Sequence, residues 1–334
     1  MSAALRESSD EELRRCLERA LAEAGGGSPT VVELTRKPFA YETSFAIDEL
    51  RVRLGDGEEL DLLVKDVGAA GLSAPAAAAK PARALDPRRE IAVYRSLLPG
   101  TGVSAPRFYG AAEDEESGRA WLFLERAPGE VLADVGNPEA WQAAAAWAAE
   151  LGAAVGTNRV PSLDPLLLDR DRGWHEHWLA AAVATCESAD RSELASRLRR
   201  SRPALLNRLD ALPHAFVHGE LYASNVIVQR EAAEPVRVKP VDWEMAGTGP
   251  FALDLAALAT GWTGEERLAI CEAFRRALPS ERAISPGDLL DAVALCELAL
   301  ALQWLGWASD WQPPAEHRRD WAAEAARLLE ETGL

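Results

Sequence analysis

From Pro138 to the C-terminus this chain is written in long Ala-, Leu- and Trp-rich segments of helical period, broken once, between Phe216 and Trp243, by strand-like runs. The residues before Pro138 follow a different pattern. Leu50-Arg51-Val52-Arg53-Leu54 alternates apolar and charged residues, Gly55-Asp56-Gly57 is a hairpin turn, and Leu60-Asp61-Leu62-Leu63-Val64-Lys65-Asp66 returns as a mostly apolar strand. Val31–Leu34 and Ser44–Asp48 precede this hairpin as strand-like runs. Arg107–Gly110 and Ala120–Glu125 follow it, with Asp114–Gly118 as the turn between them. A helix capped by Ser9 or Asp10 runs to about Ala24, where three glycines stop it, and a second starts at Asp86-Pro87 and carries Glu90. Residues 69–85, rich in Ala and Pro, predict a mobile surface loop without an element. The pattern predicts an α+β chain: residues 1–127 as a small antiparallel-sheet unit, residues 128–334 as a large helical unit, joined near Glu125–Glu130.

Composition narrows the partners. At 334 residues the chain can bury a large core. A formal net charge of −17 repels phosphate-rich surfaces, which argues against nucleic acid and anionic membranes as partners. The same charge suits a cationic small molecule, and equally serves general solubility. Cys16, Cys186, Cys271 and Cys296 stand far apart with no metal-binding spacing, as buried thiols of a reducing compartment do. The N-terminal residues carry no apolar leader and no uncharged run is long enough for a bilayer, so the cytoplasm is the expected location.

The interruption in the helical half holds the chemistry. His218-Gly219-Glu220-Leu221-Tyr222-Ala223-Ser224-Asn225 runs into Val226-Ile227-Val228, and Val241-Asp242-Trp243-Glu244 follows. Phosphoryl transfer has a loose transition state, so its catalysts mainly position groups and neutralise charge. They need a carboxylate beside the attacking hydroxyl, a loop residue on the metal, and a second metal-binding carboxylate from a nearby strand. Glu220, Asn225 and Asp242 match those roles in that order, with His218 bracing the loop. The alternative is a hairpin whose polar residues satisfy turn backbone only.

With Val241–Gly247 and Gly249–Ala256, this loop resembles the aminoglycoside phosphotransferase and choline kinase-like family. The resemblance implies a protein-kinase-like fold of two lobes. It implies transfer of the γ-phosphoryl group of ATP, with GTP left open, to a hydroxyl of a small molecule such as an aminoglycoside, sugar or amino alcohol, assisted by Mg²⁺. It further implies that Lys65 holds nucleotide phosphates and that Glu90 orients it, although Arg88 and Arg89 could claim Glu90, and Glu33 or Asp66 could claim Lys65. Thr43 and Ser44, or Arg36 and Lys37, would serve the glycine-free phosphate loop, and Glu125 would lie in the adenine-binding hinge. Asp254 is implied as a structural carboxylate under the loop. Glu244 shares a strand face with Asp242 by period two, as a second metal ligand, a substrate-steering charge or a solvated residue.

Trp304, Trp307 and Trp311 fall on one helical face, as core or as an aromatic cage, with Trp321 beyond them and Asp310, Glu316 and Asp320 nearby. His175 and His177 are two apart and cannot share a helical metal site. The family base is Asp, whereas Glu220 reaches about 1 Å further, a displacement that can cost roughly a hundredfold in rate if uncompensated. A nucleotide-binding pseudokinase acting as sensor or scaffold is therefore the alternative function.

Overall fold

The alternation in residues 46–54 becomes one continuous strand, with Leu50, Val52 and Leu54 buried and Arg51 and Arg53 exposed. The structure is a computed structural model that describes residues 8–25, 27–40, 44–79, 84–114, 117–155, 165–230, 234–307 and 318–334. It divides into two compact units: residues up to Ser96 with Ala105–Pro128, and Leu97–Ser104 with the chain from Gly129 onward. The division after Pro128 lies one residue beyond the sequence boundary. Leu97–Ser104 differs in joining the second unit, where Ser104 Oγ donates to Val238 O at 2.5 Å and Trp147 Nε1 donates to Ser104 O at 2.8 Å.

The first unit begins with α1 (Asp10–Gly25), whose first turn is capped by Ser9: its Oγ accepts from Glu12 N at 3.1 Å. Strands β1 (Val31–Pro38), β2 (Ala46–Leu54), β3 (Glu59–Asp66), β4 (Phe108–Asp114) and β5 (Arg119–Glu125) form a five-stranded antiparallel sheet in the order β1-β2-β3-β5-β4. Leu13, Leu17 and Ala20 of α1 pack on it with Leu62, Val64, Trp121 and Phe123. Gly110, at φ +133°, allows this approach: a Cβ there would stand 2.5 Å from Ala20 O. Between β3 and β4 the Ala/Pro-rich segment is not wholly irregular, because it holds the short helix α2 (Ala74–Ala79). Alanine's helix propensity prevails there once Leu72 bridges to Phe45 and fixes the approach. Helix α3 (Arg88–Ala92) follows and passes into a π-helical turn, Val93–Leu97.

The second unit contains α4 (Pro138–Ala154), α5 (Arg172–Ser188), α6 (Ser192–Asp210), α7 (Leu253–Ala259), α8 (Gly264–Ala277), α9 (Pro286–Trp307) and α10 (Trp321–Glu331). Side chains of Asn137, Asp171 and Asp320 cap α4, α5 and α10. Short strands β6 (Glu130–Val131), β7 (Leu168–Asp169), β8 (His214–Val217), β9 (Val226–Gln229), β10 (Arg237–Pro240) and β11 (Gly247–Pro250) form two three-stranded sheets, β10-β9-β6 and β7-β11-β8. Helix α9 is apolar all round and long enough to cross a membrane, yet 83% of its apolar window is buried among the unit's other helices, as in a core helix. Trp304 and Trp307 belong to this core: Trp304 packs at 5.1 Å from Trp307 and 5.4 Å from Trp321. Trp311, Asp310 and Glu316 lie outside the described residues.

An ion pair joins two of these helices. Arg267 of α8 donates twice to Glu297 of α9, at 2.6 and 2.9 Å, and Glu297 is buried. Burial raises the Glu297 carboxyl above its usual range, and Arg267 opposes that rise. Truncation at Arg267→Met should therefore leave an uncompensated buried carboxylate and cost about 3–5 kcal/mol in urea unfolding at neutral pH. Without Arg267 the folded-state pKa of Glu297 rises further, so the stability lost at neutral pH should return in part as the pH falls and the carboxyl takes up a proton. A loss that is independent of pH would refute the assignment.

Candidate active site

In the first unit Lys65 lies one residue from the end of β3, between Ile47 of β2 and Leu122 of β5. Its Nζ donates to Glu90 Oε2 of α3 at 2.7 Å, and the two side chains are 8% and 2% exposed. The ring of Phe45 lies 5.3 Å from the ammonium. The rival partners are otherwise engaged. Arg88 forks onto Asp86 at 2.9 and 2.6 Å, and Arg89 donates to Ala84 O at 3.0 Å. Glu33 pairs with Arg53, and Asp66 accepts from Gly68 N, Ala120 N and Arg119 Nη1, each at 3.2 Å. A buried ammonium held by a carboxylate is a fixed positive charge that phosphate oxygens suit.

In the second unit β8 delivers the chain to His218, and β11 pairs alongside with Gly247 opposite Val217. Asp254, in the first turn of α7, accepts from His218 N at 2.7 Å and from Gly219 N at 2.9 Å. Burial pushes its carboxyl up to about 6 against the pull of these two amides and of Arg170. The imidazole of His218 packs 4.4 Å from Trp243, and its Nε2 lies 3.0 Å from Val241 O. A carbonyl only accepts, so Nε2 carries the proton, and His218 braces the loop against the strand that leads to Asp242. Gly219 has φ +90°, and a Cβ there would stand 2.1 Å from Arg170 Nη2 and 2.3 Å from Met245 O.

Glu220 O accepts from Tyr222 N at 2.8 Å and from Asn225 Nδ2 at 2.9 Å, folding the loop back on itself. Because Asn225 spends its amide nitrogen on Glu220 O, Oδ1 remains as its coordinating atom. Val241 N donates to Asn225 O at 2.9 Å, and Pro240 pairs opposite Val226, so Asn225 and Asp242 flank the same end of the β9–β10 ladder. Asp242 adopts the left-handed region at φ 69°, a strained choice for a non-glycine residue that functional positions often carry. Among the described residues no three His, Cys, Asp or Glu side chains gather into a metal cage. Two oxygen donors fit Mg²⁺ nonetheless, since that ion keeps several waters and is completed by substrate phosphates.

Other residues singled out in the sequence sit differently. Glu244 does not share a strand face with Asp242, because Trp243–Met245 turns into a 3-10 helix and buries Glu244. Arg36 is bound to Asp48 and to Ser8 O, and Lys37 pairs with Glu49 at 2.7 Å, so both cations are engaged within the sheet unit. Ser44 is buried with its carbonyl accepting from Ser73 N at 2.8 Å, while Thr43 lies outside the described residues. Glu125 Oε2 accepts from Arg107 N at 2.9 Å, which pins the end of β5 to the start of β4. On α5, His175 is buried and His177 exposed, and burial with Arg170 pushes His175 down to about 4. Two residues carried no local signal in the sequence: Arg170, whose Nη2 donates to Met245 O at 2.6 Å, and Tyr222, whose hydroxyl accepts from Trp304 Nε1 at 2.9 Å.

A methyl group at position 219 would meet two obstacles at once, the positive φ and the occupied Cβ position. Gly219→Ala should lower stability by about 2 kcal/mol or more in urea unfolding. A change of a few tenths would show that the loop reorganises freely.

The sequence pattern of the phosphotransferase enzyme family matches residues 46–287, well over half of the chain. A segment of 66 residues is 44% identical to viomycin phosphotransferase of Streptomyces vinaceus, covering 19% of this chain and 23% of that protein. In fold the chain resembles the GDP complex of wild-type aminoglycoside 2′-phosphotransferase-IIIa, with a TM-score of 0.57 at 12% identity over 94% of this chain and 96% of that one. It also resembles an ethanolamine kinase of Plasmodium vivax, with a TM-score of 0.57 at 14% identity over 90% and 82% of the two chains. Macrolide 2′-phosphotransferase of Brachybacterium faecium follows, with a TM-score of 0.56 at 18% identity over 92% and 96%. These likenesses speak to a protein-kinase-like α+β fold, and the family pattern carries membership: the chain belongs to the phosphotransferase enzyme family.

Proposed function

We propose that this protein transfers the γ-phosphoryl group of ATP, or of GTP, to a hydroxyl group of a small molecule, with Glu220 orienting the hydroxyl and accepting its proton. The observation that carries this reading is the loop closure itself: Asn225 donates to Glu220 O and Val241 donates to Asn225 O, which sets Glu220, Asn225 and Asp242 around one ladder end. Lys65, fixed by Glu90, would hold the nucleotide phosphates. Asn225 Oδ1 and the Asp242 carboxylate would hold Mg²⁺, which when bound neutralises phosphate charge. The longer Glu220 side chain suits a step in which the carboxylate chiefly orients a hydroxyl. The loop that carries it is anchored through backbone groups at His218, Gly219 and Glu220, none of which constrains the length of the side chain.

The acceptor class follows the relatives named for aminoglycosides, a macrolide, viomycin and ethanolamine, and a net charge of −17 favours a cationic member of that range. All four cysteines are free thiols, which supports a cytoplasmic setting. Purified protein given Mg-ATP or Mg-GTP with a panel of aminoglycosides, macrolides, viomycin and amino alcohols should release nucleoside diphosphate in an acceptor-dependent manner. Glu220→Gln should lower kcat by about 10²- to 10⁴-fold, whereas Glu220→Asp should stay within roughly a hundredfold of the parent. Lys65→Met should act chiefly on the KM for nucleotide, and Asp242→Asn should abolish turnover. A nucleotide-induced thermal shift with no turnover of any acceptor would replace this reading with that of a pseudokinase.

A further inference from the structure

The catalytic loop is held by a charge that comes from an element with no place in the loop motif. Arg170 follows β7, is 2% exposed, and is bound at both ends. Its backbone N donates to Thr248 O at 2.9 Å, and its Nη2 donates to Met245 O at 2.6 Å. The guanidinium lies 5.5 Å over the Trp174 ring. Nη2 occupies the space a Cβ of Gly219 would fill, and the Arg170 stem packs in the same way against Gly249. The positive charge of Arg170 also lowers the proton affinity of Asp254, whose two oxygens accept from the His218 and Gly219 amides.

We propose that Arg170 is a positioning residue of the phosphotransfer site: its guanidinium, bonded to Met245 O and packed against Gly219, holds the loop in place and keeps Asp254 charged so that both carboxylate oxygens grip the loop amides. The inference rests on the proposed function for the loop's catalytic role, but not for the charge coupling. A protonated Asp254 retains an acceptor, yet one oxygen becomes a hydroxyl donor and the double grip weakens. The groups facing this carboxylate are Arg170, the Tyr222 hydroxyl on the loop and the Cys296 thiol on α9; His175 of α5 faces the guanidinium from the other side. Among these groups Arg170 is the cation, and it adds to the pull of the His218 and Gly219 amides on the buried carboxylate.

The sign of the pH dependence follows from burial. The folded-state value of Asp254, about 6, exceeds its unfolded value of about 3.8, so its stability contribution is complete at low pH and declines as pH rises through 6. Removing Arg170 raises the folded value further, and the additional loss falls on the neutral and alkaline side. Melting temperatures without nucleotide should therefore be measured across this range for the parent, Arg170→Met, Arg170→Gln, Asp254→Asn and the Arg170→Met, Asp254→Asn double variant. The depression caused by Arg170→Met or Arg170→Gln should grow as pH rises past 6 and shrink when Asp254→Asn is already present. A depression independent of pH and unchanged in the Asp254→Asn background overturns the proposal.

Turnover of Mg-ATP with viomycin as the acceptor probe provides the second reading. Arg170→Lys should shift the acid limb of kcat upward by about one pH unit, a tenfold loss on that limb, while the KM for ATP changes less than twofold. An unmoved limb with a raised KM counts against the positioning role. If the parent turns over no acceptor, the proposed function fails, and the melting series still decides whether Arg170 holds Asp254. If both Arg170→Met and Arg170→Gln fail to fold, the limb shift in Arg170→Lys decides.

Discussion

The buried carboxylate of Asp254 is the point on which the second unit's loop depends. It sits at the start of a helix, where unsatisfied amides favour a negative charge, and instead of capping that helix it reaches the amides of His218 and Gly219. Those bonds set the backbone direction at Glu220. From there a chain of hydrogen bonds runs on: Asn225 to Glu220 O, Val241 to Asn225 O, and His218 to Val241 O. Each bond joins segments that would otherwise move independently, so the loop, the ladder end and Asp242 are mutually constrained. Burying Asp254 raises its proton affinity, and the arrangement is stable only while amides and a nearby guanidinium offset that tendency.

The first unit solves a similar problem with one ion pair. Lys65 and Glu90 are both largely withdrawn from water, where an unpaired charge of either sign would be costly. Two of the rivals the sequence offered are engaged elsewhere, Asp66 by backbone amides and Arg119, Arg88 by Asp86. The ammonium meets the Glu90 carboxylate at 2.7 Å. The two units thus apply one rule, that buried charge is tolerated where its partners are fully specified.

Much of the scaffold was legible because it is written locally. The period-two alternation in Leu50–Leu54, the Gly55-Asp56-Gly57 turn, the serine cap of the first helix and the helical period of the Ala-, Leu- and Trp-rich segments after Pro138 are short-range patterns with a direct physical meaning. The loop residues Glu220 and Asn225 and the later Asp242 stood out for the same reason, as a spaced set of oxygen donors, and their roles in phosphoryl transfer belong to the proposed function. The failures were also local. Periodicity placed Glu244 on a strand face, but a left-handed residue at Asp242 broke the strand and buried it. Arg36 could be imagined beside a phosphate until Asp48, twelve positions on, took its guanidinium.

By itself the sequence determined the α+β division and the order of the hairpins and helices, and it singled out the polar residues proposed to handle phosphoryl charge. Only the tertiary structure decided which carboxylate Lys65 meets, that Asp254 grips the loop rather than capping its own helix, and that Arg170 lies against Gly219. The reason is that spacing along a chain encodes local conformation, whereas the choice among several possible charge partners depends on burial and on distances between segments up to dozens of residues apart. Those quantities exist only once the core has packed.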